Sequence, residues 1–238
     1  MKKKICIFIV MVLTVIFVVS TFYIAKYYIE GNKQTQLFES IEQTYTKHSG
    51  DNSADNDLSV LFEQNNDLIG WIEIDGTGIN YPVMKSDYYL KHNFNKEYSD
   101  YGVPFVLGGI TDNTIIYGHN MKTHTMFYDL TRYADIDFYK QHKLIKFTTL
   151  ESSNVYEIVY VFKTVAYTQN GFEYAKFSSF NSENDFNCFT EKCSELALYD
   201  TNTGTEYGDK LITLSTCEYS QNNGRFVVVA KLIPMEVS

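Results

Sequence analysis

Three residues of this sequence, a cysteine, a histidine and an arginine, stand where an enzyme that attacks an amide would need them. Cys217 ends an apolar run that begins at Leu211, and Arg225 opens a Val-rich run after a short polar loop. His119 ends a third apolar run, and Gly118 before it permits a sharp bend that turns the imidazole inward. Because a strand–loop–strand segment folds as a hairpin, we expect Cys217 and Arg225 to flank one end of a single cleft.

These residue types supply what thiol attack on an amide requires. A nearby cation favours the thiolate, which is the nucleophile. A histidine near neutral pH protonates the leaving amine, and a donor aimed at the carbonyl oxygen stabilises its developing negative charge. In this interpretation Cys217 is the nucleophile, His119 is the general acid and base, and Arg225 holds the carbonyl oxygen.

Each of the three residues also has an ordinary structural explanation. Free cysteine is commonly buried as a small hydrophobic residue. A single histidine in a loop is more often a surface residue, and an arginine that opens a strand often protects a sheet edge. Residue types and spacing therefore leave both a cysteine–histidine enzyme and a plain β-domain open.

The other cysteines indicate neither a disulfide nor a metal site. Cys6 lies in the apolar N-terminal run, and Cys188 and Cys193 are five residues apart on different faces of a predicted helix. The C-x₂₋₄-C spacing of zinc sites is absent, and no acidic cluster indicates a calcium site. We expect no metal and no cofactor.

Strand patterns dominate the chain from residue 68 onward. Apolar runs bounded by turn residues predict strands, and the 20 Tyr and 17 Phe residues favour them. The predicted strands are 69–74, 79–84, 103–107, 113–117, 144–149, 155–168, 210–216 and 226–233. Eight short strands with helical additions indicate a mainly β fold that closes, or nearly closes, into a barrel.

Helices are predicted at four places outside the apolar N-terminal run. They are residues 30–48, residues 57–66, one or two short helices within 125–141, and a long helix at 181–198. Asn181 and Ser182 are the capping candidates of the long helix. Residues 48–56 are rich in helix breakers and separate the first two helices.

The N-terminus predicts a retained membrane anchor. An uncharged apolar run covers residues 5–24 after Lys2, Lys3 and Lys4, and a helix of about 20 residues spans the hydrocarbon core. The lysines predict that this end stays in the cytoplasm and that the remaining chain faces outward. The alternative is a cleaved signal peptide, whose apolar region is usually about 7–15 residues and ends in an A-x-A-like site that this run lacks.

The composition excludes one class of partner. The formal net charge is −9 at pH 7. Such a surface repels phosphate backbones, so we expect no nucleic-acid partner. With 45% apolar residues the chain is not disordered, and the part beyond the anchor suffices for one domain with a substantial core.

Several segments together resemble the sortase family. Residues 213–217, Thr-Leu-Ser-Thr-Cys, followed eight residues later by Arg225, resemble the family signature TLxTC…R. Residues 113–121 resemble its histidine segment. The features that resemble class B sortases in particular are residues 66–83, residues 126–130 and the long helix before the cysteine strand. The resemblance covers about residues 57–233.

The resemblance implies an eight-stranded sortase-type β-barrel on the outer face of a Gram-positive cell membrane. It implies a transpeptidase that cleaves a sorting signal of the Pro-x-Thr type after Thr, through a thioester on cysteine. The implied partners are surface proteins with a C-terminal sorting signal and an amine of the cell-wall precursor. The implied domains are a single-pass anchor at 1–28, a linker and N-terminal helix at 29–56, and the catalytic domain at 57–238.

The resemblance also assigns roles by position. It gives Cys217, His119 and Arg225 the same three roles as the chemistry does. Ser215 and Glu218 flank the nucleophile and are expected to line the substrate cleft. The backbone N–H of Glu218 is a candidate second donor to the oxyanion.

One segment departs from the family pattern, and two other functions stay open. Residues 102–109 lack the Asp expected soon after the Phe, which affects a wall of the cleft and not the chemistry. A hydrolytic cysteine peptidase would share the first chemical step and differ only in the acceptor. A non-catalytic, membrane-tethered binding module would hold an inert cysteine.

Overall fold

The structure, a computed structural model, describes residues 2–48, 58–166 and 171–234. Its contacts divide the chain into two units, one that ends at Ser40 and one that begins at Ile41. The second unit contains the strands and all of the candidate site residues. The breaker segment predicted at 48–56 lies almost wholly outside the described residues.

The N-terminal segment is one continuous helix, α1, at Lys2–His48. The sequence predicts an apolar helix and a separate helix at 30–48, but no proline interrupts the chain there and the helix runs through. The side chains of residues 3–29 are exposed. Among the described residues, α1 is the one helix long and apolar enough to cross a membrane, by length and composition.

Eight strands close into a barrel, which confirms the predicted fold class. The strands are β1 Leu68–Glu73, β2 Asn80–Met84, β3 Phe105–Val106, β4 Asn113–Tyr117, β5 Leu144–Thr149, β6 Ser153–Val165, β7 Leu211–Glu218 and β8 Gly224–Leu232. Their order around the barrel is β1-β2-β3-β4-β7-β8-β6-β5. β3 is shorter than predicted at both ends, and at its N-terminal end Pro104 has no backbone N–H to donate.

Two pairings decide which residues meet at one end of the barrel. β7 and β8 form an antiparallel hairpin, and β4 lies parallel to β7 on its other side. β4 and β7 are far apart in sequence, so their pairing brings distant residues together. β7 is buried from Leu211 to Thr216, as expected for a strand whose two faces are both covered.

Short helices precede the first strand of the barrel or lie between its strands. The α-helices are α2 Ser59–Gln64, α3 Ile136–Gln141 and α4 Glu183–Leu196, and the 3-10 helices are Asp87–Leu90, Tyr128–Ala134 and Tyr174–Lys176. The long predicted helix before β7 is confirmed as α4, and the Ser182 side chain caps it by accepting from the Asp185 N–H at 3.2 Å. The 3-10 helices at 87–90 and 174–176 were not predicted.

An aromatic cluster joins α4 to the outside of the barrel. Phe186, Phe189 and Cys193 on α4 are fully buried against Val159 and Phe162 of β6. This burial of a helix face against a sheet is the main source of stability for such an element, since helix propensity alone is weak. The cluster also includes Tyr174 and therefore reaches the segment that forms one wall of the candidate site.

Candidate active site

Three strand ends bring the predicted cysteine, histidine and arginine to the same rim of the barrel. Cys217 on β7 lies directly opposite Arg225 on β8. In the parallel pair, Tyr117 of β4 lies beside Ser215 of β7. His119 and Cys217 each follow two residues later, so continuing that register places them side by side.

These three residues line one cleft with a volume of about 530 Å³. Its walls come from the 3-10 helix Asp87–Leu90, from β3 with Leu107 beyond it, and from residues 172–176. The segment 102–109, which departs from the family pattern, therefore contributes to a wall of this cleft. The lining is mostly apolar, with the charged residues Asp87, Glu173 and Lys176 on the walls in addition to the three strand ends. A mostly apolar cleft with a few polar groups suits recognition of a peptide.

The backbone before His119 is fixed by its neighbours on both sides. The Gly118 N–H donates to the Ser215 carbonyl at 3.1 Å, and the Thr216 hydroxyl donates to the Gly118 carbonyl at 2.8 Å. A Cβ on Gly118 would lie 2.6 Å from a ring carbon of Phe127. Gly118 does not have a positive φ, so the space it leaves for Phe127, not a special bend, explains why glycine is required there.

The imidazole of His119 is half-buried and hydrogen-bonded to the backbone. Its Nε2 lies 2.8 Å from the Leu90 carbonyl oxygen. Burial lowers the pKa of His119 below its ordinary value, and the bond to Leu90 opposes that effect. The charge of Lys91 lowers the pKa further and that of Asp100 raises it. The net effect favours the neutral imidazole, because burial penalises the charged ring.

Cys217 is half-buried at the end of β7, as an accessible nucleophile requires. The Asn120 side chain donates to its carbonyl at 2.9 Å and so ties the cysteine to the residue after His119. Cys193 is fully buried, and burial raises the pKa of its thiol well above the ordinary value. Cys6 and Cys188 are exposed on helices, and Cys217 is the cysteine that lines the cleft.

Arg225 presents its guanidinium on the strand next to the cysteine. Its Nη1 donates to the Gly224 carbonyl at 3.0 Å. On its other side Arg225 is paired with Thr164 of β6. The head of an arginine is always charged and carries several donors, so Arg225 adds positive charge and hydrogen-bond donors to the lining of the cleft.

Ser215 and Glu218 were both expected to line the cleft, but only one of them does. Ser215 is buried, lines the cleft and shares a 2.6 Å hydrogen bond with the hydroxyl of Tyr174. Glu218 does not line the cleft. Its carboxylate accepts from the Ser220 hydroxyl at 2.6 Å and lies 3.4 Å from the Lys163 amine. Although burial raises the pKa of Glu218, these partners hold it below its ordinary value.

Three residues of the site, Leu90, Tyr174 and Asn120, were not predicted from the sequence. Leu90 and Tyr174 lie in or at the end of 3-10 helices of four and three residues, too short to show a hydrophobic period. Asn120 directly follows His119, and that adjacency was the signal that could have singled it out. Within the described residues no group of three or more His, Cys, Asp or Glu side chains is placed to hold a metal ion.

Comparison with known proteins agrees with this geometry. The family model described as "Sortase domain" matches residues 72–233. The chain is similar to sortase B of Listeria monocytogenes, with 33% identity over 85% of this chain and 86% of that protein. Its structure is similar to a Staphylococcus aureus sortase B–substrate complex, with a TM-score of 0.78 and 28% identity over 87% of this chain and 100% of that one.

A second solved structure is similar in the same way. It is sortase B complexed with triglycine, with a TM-score of 0.77 and 28% identity over 87% of this chain and 100% of that chain. These similarities confirm the resemblance to class B sortases and the eight-stranded barrel that the sequence predicts.

Proposed function

We propose that Cys217, His119 and Arg225 are the catalytic residues of this chain, which belongs to the sortase family and is a cysteine transpeptidase of class B. The observation that supports this proposal is their position on three neighbouring strand ends that line one cleft. An accessible thiol, a titratable imidazole and a fixed cation are the groups that amide attack needs.

In the first step, the Cys217 thiolate attacks the carbonyl carbon of the scissile amide. Negative charge develops on the carbonyl oxygen, and the Arg225 guanidinium stabilises it, with the Glu218 backbone N–H as a candidate second donor. The C–N bond breaks while protonated His119 gives its proton to the leaving amine. The products are a thioester on Cys217 and a free amine.

In the second step, an incoming amine attacks the thioester. The C–S bond breaks, the thiolate of Cys217 is restored, and neutral His119 takes the proton that the amine loses. The enzyme thus returns to its starting protonation state. Replacing one amide by another needs no cofactor and no external energy.

The substrate is a sorting signal of the Pro-x-Thr type, cleaved after Thr, at the C-terminus of a surface protein. The apolar cleft walls, such as Phe105 and Leu107, offer contacts for the residues before the scissile bond. The acceptor is an amine of the cell-wall precursor. A similar structure, sortase B complexed with triglycine, supports an acceptor of glycine type.

The N-terminal helix anchors the enzyme to the cell membrane. Residues 1–28 form the single-pass anchor, 29–56 the connection, and 57–238 the catalytic domain outside the cytoplasm. The support is the length and apolar composition of α1 and the lysines before it. Such an anchor keeps the enzyme near substrates that leave the cell through the same membrane.

Replacement of Cys217 tests the assignment of the nucleophile. The full chain in detergent micelles is incubated with a Pro-x-Thr peptide, and intact-protein mass spectrometry detects the acyl-enzyme. We expect Cys217→Ala to form no adduct, whereas Cys188→Ala, which alters an exposed cysteine on α4, forms it as the native protein does. An adduct on the Cys217→Ala variant would refute the assignment.

The acceptor amine separates a transpeptidase from a hydrolytic peptidase. We expect added triglycine to appear joined to the Thr of the peptide and to displace the hydrolysed product. A product ratio that does not change with triglycine concentration would instead favour hydrolysis.

A further inference from the structure

The ring of His119 makes a hydrogen bond whose direction is fixed by chemistry. Its Nε2 lies 2.8 Å from the carbonyl oxygen of Leu90. A carbonyl oxygen can only accept, so Nε2 must carry a hydrogen in both the neutral and the charged ring. In the neutral ring Nδ1 is therefore the nitrogen with a free lone pair.

We propose that the Leu90 carbonyl fixes the tautomer of His119, so that Nδ1 is the atom that exchanges a proton with the substrate amine. Leu90 acts here as a positioning residue through its backbone. The proposal deepens the proposed function and rests on His119 being the acid and base. It identifies the nitrogen that transfers the proton and the backbone carbonyl that orients the ring.

Gly102 keeps the Leu90 carbonyl in position. Its φ is +58°, a conformation that side chains disfavour. A Cβ there would lie 2.5 Å from the Tyr89 carbonyl oxygen and 2.8 Å from that of Leu90. Both are backbone atoms, which cannot swing away as a flexible side chain does. The backbone of Gly102 thus lies close against the carbonyl group that holds His119.

The segments around Leu90 and Gly102 are also tied to each other. The Val103 N–H donates to the Tyr89 carbonyl, and the Ser99 N–H donates to the Lys91 carbonyl, both at 2.9 Å. The Lys91 amine donates to the Asp100 carboxylate at 2.8 Å. These bonds lie on both sides of Leu90 and restrict movement of its carbonyl.

The fixed tautomer gives each step a defined proton path. During acylation the charged ring donates the Nδ1 proton to the leaving nitrogen. The other proton stays on Nε2 and remains hydrogen-bonded to the Leu90 carbonyl. During deacylation the attacking amine returns a proton to Nδ1. The ring therefore need not rotate between the steps. The charges of Lys91 and Asp100 act on the ring. The other charged or titratable residues that line the same cleft include Asp87, Glu173, Lys176, Cys217 and Arg225.

Nitrogen NMR of the native protein tests the tautomer without any activity measurement. The full chain, labelled with ¹⁵N-histidine in micelles, is observed at a pH where the ring is neutral, and His119→Gln assigns the signals. We expect a protonated Nε2 whose hydrogen exchanges slowly with water, and an unprotonated Nδ1. A protonated Nδ1 in the neutral ring would overturn the proposal.

A glycine substitution tests whether the carbonyl matters to catalysis. Because general acid–base catalysis contributes about 10²–10⁴-fold, we expect Gly102→Ala to lower kcat by roughly 10- to 100-fold with little change in KM, and to speed exchange of the Nε2 hydrogen. Gly208→Ala is the matched control, since Gly208 also has a positive φ, +105°, with nothing within 4 Å of the added Cβ.

The possible outcomes separate this proposal from the proposed function. Equal kcat and equal Nε2 exchange in Gly102→Ala and Gly208→Ala would overturn the positioning role. If Gly102→Ala does not fold, the NMR result on the native protein still decides the tautomer. An acyl-enzyme on Cys217→Ala would refute the catalytic assignment and leave the tautomer result unaffected.

Discussion

Two charged residues beside His119 act on its proton in opposite directions. Burial dominates and lowers the pKa of this histidine, the Lys91 amine lowers it further, and the Asp100 carboxylate raises it. Lys91 and Asp100 also pair with each other across the exposed surface. In the proposed mechanism the histidine must be charged to protonate the leaving amine, so these two residues shift the upper pH limit of the acylation step, which burial mainly lowers.

Neutralising either residue should move that limit. Asp100→Asn removes a charge that favours the imidazolium, so we expect the pKa of His119 to fall and acylation to decline at lower pH. Lys91→Gln removes a charge that opposes the imidazolium, so the pKa and the decline should move to higher pH. Proton NMR titration of His119 measures both shifts.

The control for these variants is Asp137→Asn, which alters an exposed carboxylate of α3 and should leave the titration unchanged. Shifts of Asp100→Asn and Lys91→Gln in the same direction would show that the electrostatic account of this histidine is wrong.

At the scale of elements, α4 supports the wall of the cleft that residues 172–176 form. The ring of Phe189 on α4 lies 5.9 Å from that of Phe172 and 5.5 Å from that of Phe177. Tyr174, between those two rings in sequence, bonds to Ser215 at the rim. The contiguous aromatic cluster thus connects α4 with the wall of the cleft that residues 172–176 form.

Truncation of the fully buried Phe189 should therefore affect both stability and substrate binding. We expect Phe189→Ala to lower the free energy of unfolding by about 3–5 kcal/mol, as for other buried phenylalanines, and to raise KM for the peptide. Urea denaturation and steady-state kinetics measure the two effects. Phe62→Ala, at a partly exposed position of α2, should cost much less, and equal losses in the two variants would contradict this role of α4.

At the scale of the whole molecule, an apolar helix precedes a barrel in a chain of net charge −9. The exposed side chains of residues 3–29 are mostly apolar. An exposed surface of this size and composition needs a nonpolar environment. In the proposed function the cell membrane supplies that environment, in agreement with the anchor that the sequence predicts.

Membrane fractionation tests this anchor. After an alkaline wash of membranes we expect the full chain to stay in the pellet with an intact N-terminus by mass spectrometry. Each lysine at the centre of a spanning helix costs about 2.5–3.5 kcal/mol, so Leu13→Lys with Phe17→Lys should release the protein. Gln36→Lys with Gln43→Lys adds the same charge at exposed positions of α1 and should not. A shortened N-terminus would instead indicate a cleaved signal peptide.

The sequence by itself determined the features that depend on local patterns. Alternating and continuous apolar runs located all eight strands, and the cap at Ser182 located the start of α4. The position of Cys217 at a strand end and of Arg225 across a hairpin followed from the same patterns, because hairpin partners are close in sequence. The length of the apolar run at 5–24 was sufficient to predict a membrane anchor.

Only the tertiary structure decided which distant segments meet. The parallel pairing of β4 with β7 brings the segment that leads to His119 beside the strand that carries Cys217. The same closure of the barrel puts the Leu90 carbonyl on the imidazole and the Tyr174 hydroxyl on Ser215. It also leaves the Glu218 carboxylate with Lys163, away from the cleft lining. These contacts join residues far apart in sequence, so no local periodicity records them, and the folded barrel alone fixes their geometry.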